Sequence, residues 1–573
     1  MAGGLLNIVS VGNNNIFLTG NPTKTFFKVV YSKYTNFGLQ KFRIDYEGQR
    51  DLRLTESSTF NFKIPRYAEL LMDTYLVLSL PDIWSPIYPP KNEKGVWAPY
   101  DFRWIRDIGT HIIKEITITC GSLIIQKYSG NYLHAMMQRD FSSDKINLVN
   151  RMSGNVVKLY DPGNAYGHVN TYPSAYYNEA NLPAGEEPSI RGRAIYIPIN
   201  TSFTLNSKCA FPLVSLQYNE LNLTVELRSI QELFQVRDVF DISNLFPYVK
   251  PDFNLEQFQM YRFLQSPPSV NIDTTSYSNQ IKTWNSDIHL ISTYCFLEKE
   301  EAKLFASEEQ IYLVKDVYEY HFDNIVGTTK VKLPSSGMVS SWMWYLQRND
   351  VNLRNEWSNY TNWPYRTMPY DITSAPSTTN TTNSNDMNYN YDAIFNVDHN
   401  NFGPLNNPTD KRDTKNLAGP NTGLYVSNKI HSDNQYEILN TMGILLNGDY
   451  RENILASGIY NYIEKYTRTP GSAQDGIYCY NFCLNTSPFE YQPSGAINLS
   501  KFRTIELELT TYVPEFDLAN SNIQVICDGT GNPIGINKLT WKLFEYNYNM
   551  TLFEERYNIL SFIGGNCGML YAR

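Results

Sequence analysis

Apolar and polar residues alternate strictly in several short windows of this chain. Leu221-Asn-Leu-Thr-Val-Glu-Leu227 is one, and Ile505-Glu-Leu-Glu-Leu-Thr510 is another. A period of two places one set of side chains on a buried face and the other in water, as in a half-buried strand. Phe60, Phe62 and Ile64 alternate in the same way, as do Ile116, Ile118 and Cys120, and Ile195, Ile197 and Ile199. Pro198 suits an edge or a bulge in the last of these. Leu539, Trp541 and Leu543 alternate too, and the phase then jumps to Phe544, Tyr546 and Tyr548. Such a jump predicts a β-bulge or a sharp bend.

The pattern fixes the register of these strands. Turning Ile505, Leu507 and Leu509 to the wet face would forfeit roughly 1.5–3 kcal/mol each, as an upper figure. Propensity differences span only about 1 kcal/mol per site. Burial therefore decides which face is inside, and a one-residue slip is costly. Finding the same alternation once in each half predicts a β architecture built in duplicate.

Helical signals are few and short. Ser229-Ile-Gln-Glu232 is a capping box, in which hydroxyl and carboxylate satisfy free N–H groups reciprocally. Glu298 to Ala306 suits a second short helix, with acidic residues in its first turn.

The segment to about Thr25 is rich in Gly and Asn and reads as an arm, residues 1–25. Pro247 and Pro251 interrupt the pattern near 238–254, which reads as a linker between a first domain, 26–237, and a second, 255–573. A stretch with no sustained period, about 355–434, reads as a long outward-facing surface insertion.

Composition agrees with large β cores. The chain has 573 residues, more than a single domain usually holds. It carries 43 Tyr and 29 Phe, residues that suit pleated surfaces and broad interfaces. The net charge is −9, with no Lys/Arg run at either end. That argues against direct wrapping of nucleic acid, which needs a positive stripe. The seven cysteines are scattered, and Cys479 and Cys483 alone lie close. They read as reduced thiols. The N-terminus has no basic region before its short apolar run, so no secretory signal is expected. No apolar run of about 18 residues occurs, so no transmembrane helix is expected.

Chemistry-bearing motifs are absent. There is no Gly-x-Ser-x-Gly elbow, Walker A loop or Gly-x-Gly-x-x-Gly. Asp528-Gly-Thr-Gly-Asn-Pro533 reads as a turn between strands. The seven histidines are far apart in sequence and read as structural. Glu298, Glu300 and Glu301 read as a solvated first helical turn. Catalytic, cofactor and metal residues are therefore all expected to be none. Of the Asn-x-Ser/Thr sequons, Asn359 and Asn380 in the long insertion are the candidate glycan sites.

Five stretches, in order, resemble the major capsid proteins of nucleocytoplasmic large DNA viruses. Gly20-Asn-Pro-Thr-Lys-Thr-Phe-Phe-Lys-Val-Val-Tyr31, followed by Thr35-Asn-Phe37, is similar to that family's N-terminal motif. It includes Gly20, Asn21, Pro22, Phe26 and Phe27. Phe211-Pro-Leu-Val-Ser-Leu-Gln-Tyr-Asn-Glu220 resembles the end of a first jelly roll, and Tyr294 to Ala306 the opening of a second. Pro493-Ser-Gly-Ala-Ile-Asn-Leu-Ser-Lys501 resembles P-S-G-x-x-N-x-S-R through Pro493, Ser494, Gly495, Asn498 and Ser500. Lys501 stands where Arg is usual, keeping the charge but losing the planar fork. Tyr557-Asn-Ile-Leu and Gly565-Asn-Cys-Gly-Met-Leu-Tyr571 are similar to the family's C-terminal stretch.

The resemblance implies an all-β fold of two consecutive eight-stranded jelly rolls, with few short helices and long loops. It implies a structural role rather than an enzymatic one, as a homotrimer whose six jelly rolls imitate a hexagon and tile an icosahedral shell. The implied partners are further copies, neighbouring capsomers and minor capsid proteins, with an internal viral membrane nearby and no direct contact with nucleic acid. The implied location is the virion, after synthesis and assembly in the host cytoplasm. Two other readings compete: a minor capsid paralogue of the same fold, and a carbohydrate-binding or carbohydrate-cleaving β-sandwich.

Overall fold

The computed structural model describes residues 3–5, 12, 16–48, 51–88, 98–167, 172–173, 175, 187–239, 247–267, 277, 279–366, 435–514, 524–527, 529–537, 540–543 and 545–571. Among the described residues, sixteen principal strands build two sandwiches. The first contains β1 (Phe37–Asp45), β2 (Ser58–Lys63), β3 (Leu70–Leu80), β4 (Ile113–Cys120), β5 (Leu123–Ser129), β6 (Arg193–Pro198), β7 (Leu221–Leu227) and β8 (His289–Leu297). The second contains β9 (Gln310–Ile325), β10 (Thr328–Lys332), β11 (Met338–Arg348), β12 (Leu439–Leu446), β13 (Asp449–Ala456), β14 (Ile477–Asn481), β15 (Ile505–Thr511) and β16 (Tyr548–Ile563).

The two share one topology. In the first, β1 pairs with β8, β8 with β3, and β6 with β3; the facing sheet runs β2-β7-β4-β5. In the second, the sheets run β9-β16-β11-β14 and β10-β15-β12-β13. Strands therefore match one for one in chain order, and each half is a jelly roll. The alternations at Leu221–Leu227 and Ile505–Thr511 are the equivalent strands β7 and β15. Each lies second in its sheet and shows the same alternation of buried and half-buried residues. Val225 sits opposite Phe60 on one side and Ile116 on the other. Pro198 ends β6, which among the described residues pairs on one side only, as suits a strand proline.

The boundary between the halves differs from the sequence expectation. β8 pairs along its whole length with β1, from Asp45↔His289 to Phe37↔Leu297, and also with β3. Residues to 297 thus complete the first sandwich. The 238–254 segment is no free linker either. Tyr248 and Val249 pair with Arg237 and Val236, in a small sheet with Phe102–Trp104. The prolines mark a hairpin within the first half, and the change of domain falls at the short helix Lys299–Ser307.

β11 explains how the halves join. Nine of its eleven residues are buried, so both of its faces are dry. Trp342, Trp344 and Leu346 enter the core of the second sandwich, whereas Met343 and Tyr345 join the core of the first. β16 divides in the same way: Met550 and Leu552 point one way, Phe553, Leu560 and Phe562 the other. A sheet covered on both faces reads as a continuous apolar run rather than an alternation.

Three local expectations met different outcomes. Ser229 and Glu232 form the capping box on a short 3-10 helix, Ile230–Glu232. Residues 529–532 connect a hairpin of Gln524–Cys527 and Pro533–Asn537. The alternation at 539–543 is not a strand: the described residues there are irregular, and β16 begins at Tyr548. Trp541 is still fully buried, stacked on Tyr365 with ring centroids 5.9 Å apart. Leu539 and Phe544 lie outside the described residues. No described helix is long and apolar enough to cross a membrane.

Candidate functional site

The strongest concentration of buried polar chemistry lies where the two sandwiches meet. Helix α1 (Gly130–Asp140) leaves β5 directly, its N-terminus capped by Ser129, whose hydroxyl accepts from the Tyr132 N–H at 3.2 Å. Its last turn carries Arg139 and Asp140 into the seam. The Arg139 guanidinium grips Asp140 with two bonds, 2.8 and 2.6 Å, and reaches Glu555 of β16 at 2.8 Å. Glu555 also accepts from the Tyr132 hydroxyl at 2.9 Å and from the Ser341 hydroxyl at 2.9 Å. The Lys315 ammonium lies 3.6 Å from Glu555. Thr486 donates to Asp140 at 2.6 Å and gives its carbonyl to Lys315.

Burial works against charge on Glu555, but Arg139 and Lys315 outweigh it and hold the carboxyl at about 2, against an ordinary 4.5. Two cations meet two carboxylates, and each oxygen of Glu555 is bonded. Such a cluster is costly to desolvate and costlier to half-break. It therefore specifies how the sandwiches sit against each other. Two further bonds cross the same seam: Gln126 Nε2 donates to the Lys315 carbonyl at 2.7 Å, and the Ser129 N–H to Glu319 at 2.7 Å.

A second buried cluster gathers Asp107, His111 and His134. Their ligand-type atoms lie within 4.8 Å of one another. The Asp107 oxygens are already taken: Asn155 Nδ2 donates to one at 2.6 Å and Arg366 Nη1 to the other at 3.1 Å. With that guanidinium beside it, the group is best described as a hydrogen-bonded charge cluster. Burial, then the neighbouring His134, push the His111 imidazole down to about 3. Burial also lowers His134. The histidines are 23 positions apart in the sequence, on separate elements, so spacing gave no sign of this meeting.

The motif residues fall in two places. Gly20, Asn21, Pro22, Phe26 and Phe27 lie on the exposed arm ahead of β1, with Phe26 and Phe27 88% and 99% exposed. Pro493, Ser494, Gly495, Asn498 and Ser500 form the turn ahead of β15. The Ser494 hydroxyl accepts from the Asn485 N–H at 3.0 Å and donates to the Asn485 carbonyl at 2.8 Å. Gly495 has φ 134°. Asn498 caps Ser500 at 3.1 Å, and Ser500 in turn accepts from the Gly337 N–H at 2.8 Å. These are structural ties, and they pin the turn to the start of β11.

Asn359 does not suit a glycan. It is fully buried, donates to the carbonyls of Trp363 and Pro364, and accepts from the Thr361 hydroxyl. The opening of the insertion, residues 355–366, is packed inside rather than turned outwards. Asn355 Nδ2, for example, donates to the carbonyls of Gln231 and Phe234 at 2.8 Å each. Asn380 and the rest of the insertion, 367–434, lie outside the described residues. All seven cysteines are free thiols.

Two family models divide the chain where the fold does. One, described as major capsid protein N-terminus, matches residues 25–291. The other, described as large eukaryotic DNA virus major capsid protein, matches residues 301–568.

The chain belongs to the major capsid proteins of large eukaryotic DNA viruses.

Two relatives match over full length. The major capsid protein of Phaeocystis pouchetii virus is 23% identical over 588 residues, covering 99% of both chains. That of Paramecium bursaria Chlorella virus 1 is 23% identical over 576 residues, covering 100% of both. Among solved structures, PBCV-1 VP54 superposes with a TM-score of 0.58 at 17% identity, over 96% of this chain and 100% of its own. That likeness is one of fold. As a capsid protein of this family, the chain is a component of the virion shell. The seam cluster belongs to its architecture.

Proposed function

We propose that three copies of this capsid protein associate into one capsomer whose six sandwiches approximate a hexagon, and that such capsomers tile an icosahedral shell. The supporting observation is the one-for-one match of strand order between the two halves, locked by the Arg139–Glu555 cluster. A rigid subunit with two equivalent lobes turns a three-fold ring into near six-fold packing. The arm supports the same reading. Phe26, Phe27, Val29, Val30 and Tyr31 are each more than 80% exposed, an apolar stretch that an isolated soluble chain does not leave to water. In the assembled shell the neighbours are other capsomers and minor capsid proteins, with an internal membrane beneath and no direct contact with the genome. The role is structural rather than enzymatic, and assembly takes place in the host cytoplasm.

Native mass spectrometry of the full chain tests the assembly. The expected species has three times the 66.1 kDa chain mass. A stable monomer at all concentrations, and in material released from particles, would overturn the proposal.

A further inference from the structure

Cys120 and Cys567 come from opposite halves of the fold and meet at their junction. Cys120 ends β4 in the first sandwich and is buried. Cys567 lies on the terminal strand Asn566–Met569, which pairs with β16 of the second sandwich and leaves the thiol half-buried. The backbone sets the two side by side. Leu221 of β7 sits opposite Cys120, and just ahead of it the Gln217 N–H donates to the Gly565 carbonyl at 3.0 Å. Asn219 Nδ2 donates to Asn566 Oδ1 at 3.4 Å. Cys567 packs against the first core, to which Cys120 belongs. The two thiols share a hydrogen bond.

Contact between the sulfurs meets the condition that rules out most cysteine pairs, that the two side chains point at each other. The hydrogen bond from Cys567, with Arg66 nearby, also draws the Cys120 thiol below its ordinary range against the effect of burial. The thiolate is the form that attacks a disulfide. Cys567 is the half-exposed member of the pair, so an oxidant reaches it first.

We propose that Cys120 and Cys567 form a disulfide that staples the two sandwiches together when the protein meets a small disulfide oxidant such as glutathione disulfide. The Cys567 sulfur attacks one sulfur of glutathione disulfide, and its proton passes through water to the glutathione thiolate released. Cys120 then attacks Cys567 Sγ in the mixed disulfide, and its proton leaves with the second glutathione. Two thiols are oxidised, one S–S bond forms between them, and the oxidant is reduced to two glutathione molecules. The link joins points more than 400 residues apart, so it removes much freedom from the unfolded chain. A reducing cytoplasm leaves the pair open, and oxidising surroundings outside the cell close it. That timing rests on the cytoplasmic assembly proposed above; the cross-link itself does not.

The test incubates the folded full-length protein with glutathione disulfide, alkylates the remaining thiols after denaturation, and maps peptides without reduction. The expected product is a peptide pair linked through Cys120 and Cys567. The midpoint of thermal unfolding should rise by about 5 °C, and dithiothreitol should reverse the rise. Cys567→Ser is a conservative change at a half-exposed site. It should remove both the link and the rise, as should Cys120→Ala. Recovery of Cys120 as a free thiol, with Cys567 free or carrying glutathione, would overturn the proposal. So would a link that leaves the unfolding midpoint where it was. An equal rise in Cys567→Ser would overturn it as well, by tracing the effect to another thiol such as the exposed Cys527.

Discussion

Arg139 at the end of α1 and Glu555 in β16 lie 416 residues apart in sequence and 2.8 Å apart in space, both fully buried. One belongs to each sandwich, so the pair acts only when the halves are correctly docked. Glu555→Gln should leave Arg139 and Lys315 short of a counter-charge and cost about 3–5 kcal/mol in denaturant unfolding. Arg139→Met should cost a similar amount. The double variant should cost clearly less than the sum, because removing both charges leaves no orphan. Additive losses would mean that the two side chains do not share one interaction.

Acid should loosen the fold in two windows. His111 is held uncharged down to about 3, against an ordinary 6.5. Between these values the unfolded chain binds a proton that the folded chain refuses, so stability falls as pH drops through that range. The slope is roughly 1.4 kcal/mol per pH unit for one such imidazole. The groups around His111 are His134, Asp107 and Arg228. Glu555 adds a second loss as pH falls from 4.5 towards about 2, where the carboxylate gives up its stabilising charge. Urea midpoints measured from pH 8 to pH 4 should decline from about pH 6.5, and His111→Gln should flatten that decline. An unchanged slope in the variant would remove His111 from the account.

What was legible in the sequence follows from how each strand is covered. Strands with one wet face, such as β2, β4, β7 and β15, announced themselves by alternation, because solvent imposes it. β11 did not, since packing on both faces erases the period. The 238–254 prolines read as a linker because the pairing of β8 with β1 spans more than 240 residues, and no local pattern reports such contacts. Trp541 alternated with its neighbours but serves as a buried plug under Tyr365, so the period there was accidental. The motif turn at 493–501 was found by resemblance. The seam cluster was invisible, because its charges look like ordinary surface residues until two distant segments are docked.

The motif turn depends on one backbone conformation. Gly495 has φ 134°, where L side chains rarely sit, and an added Cβ would stand 3.2 Å from the Phe482 carbonyl oxygen. Gly495→Ala should cost about 1–3 kcal/mol. Ser494→Ala removes both bonds to Asn485 and should cost about 1–2 kcal/mol. Hydrogen exchange should show faster opening at 483–501 in both variants. Protection equal to wild type would mean that the turn is held by other contacts.

β7 and β15 should respond alike to the same insult. Leu223 and Leu507 occupy equivalent buried positions in the two sandwiches, with Thr224 and Glu508 facing outwards beside them. Leu223→Ala and Leu507→Ala should each cost about 2–5 kcal/mol, the transfer loss plus a cavity. Thr224→Ala should change stability by less than about 1 kcal/mol, as at a surface site. Each core change should first open its own sandwich, so proteolysis of Leu507→Ala should cut within 310–568 before it cuts within 37–297. Simultaneous loss of both halves would show instead that the seam couples them into one folding unit.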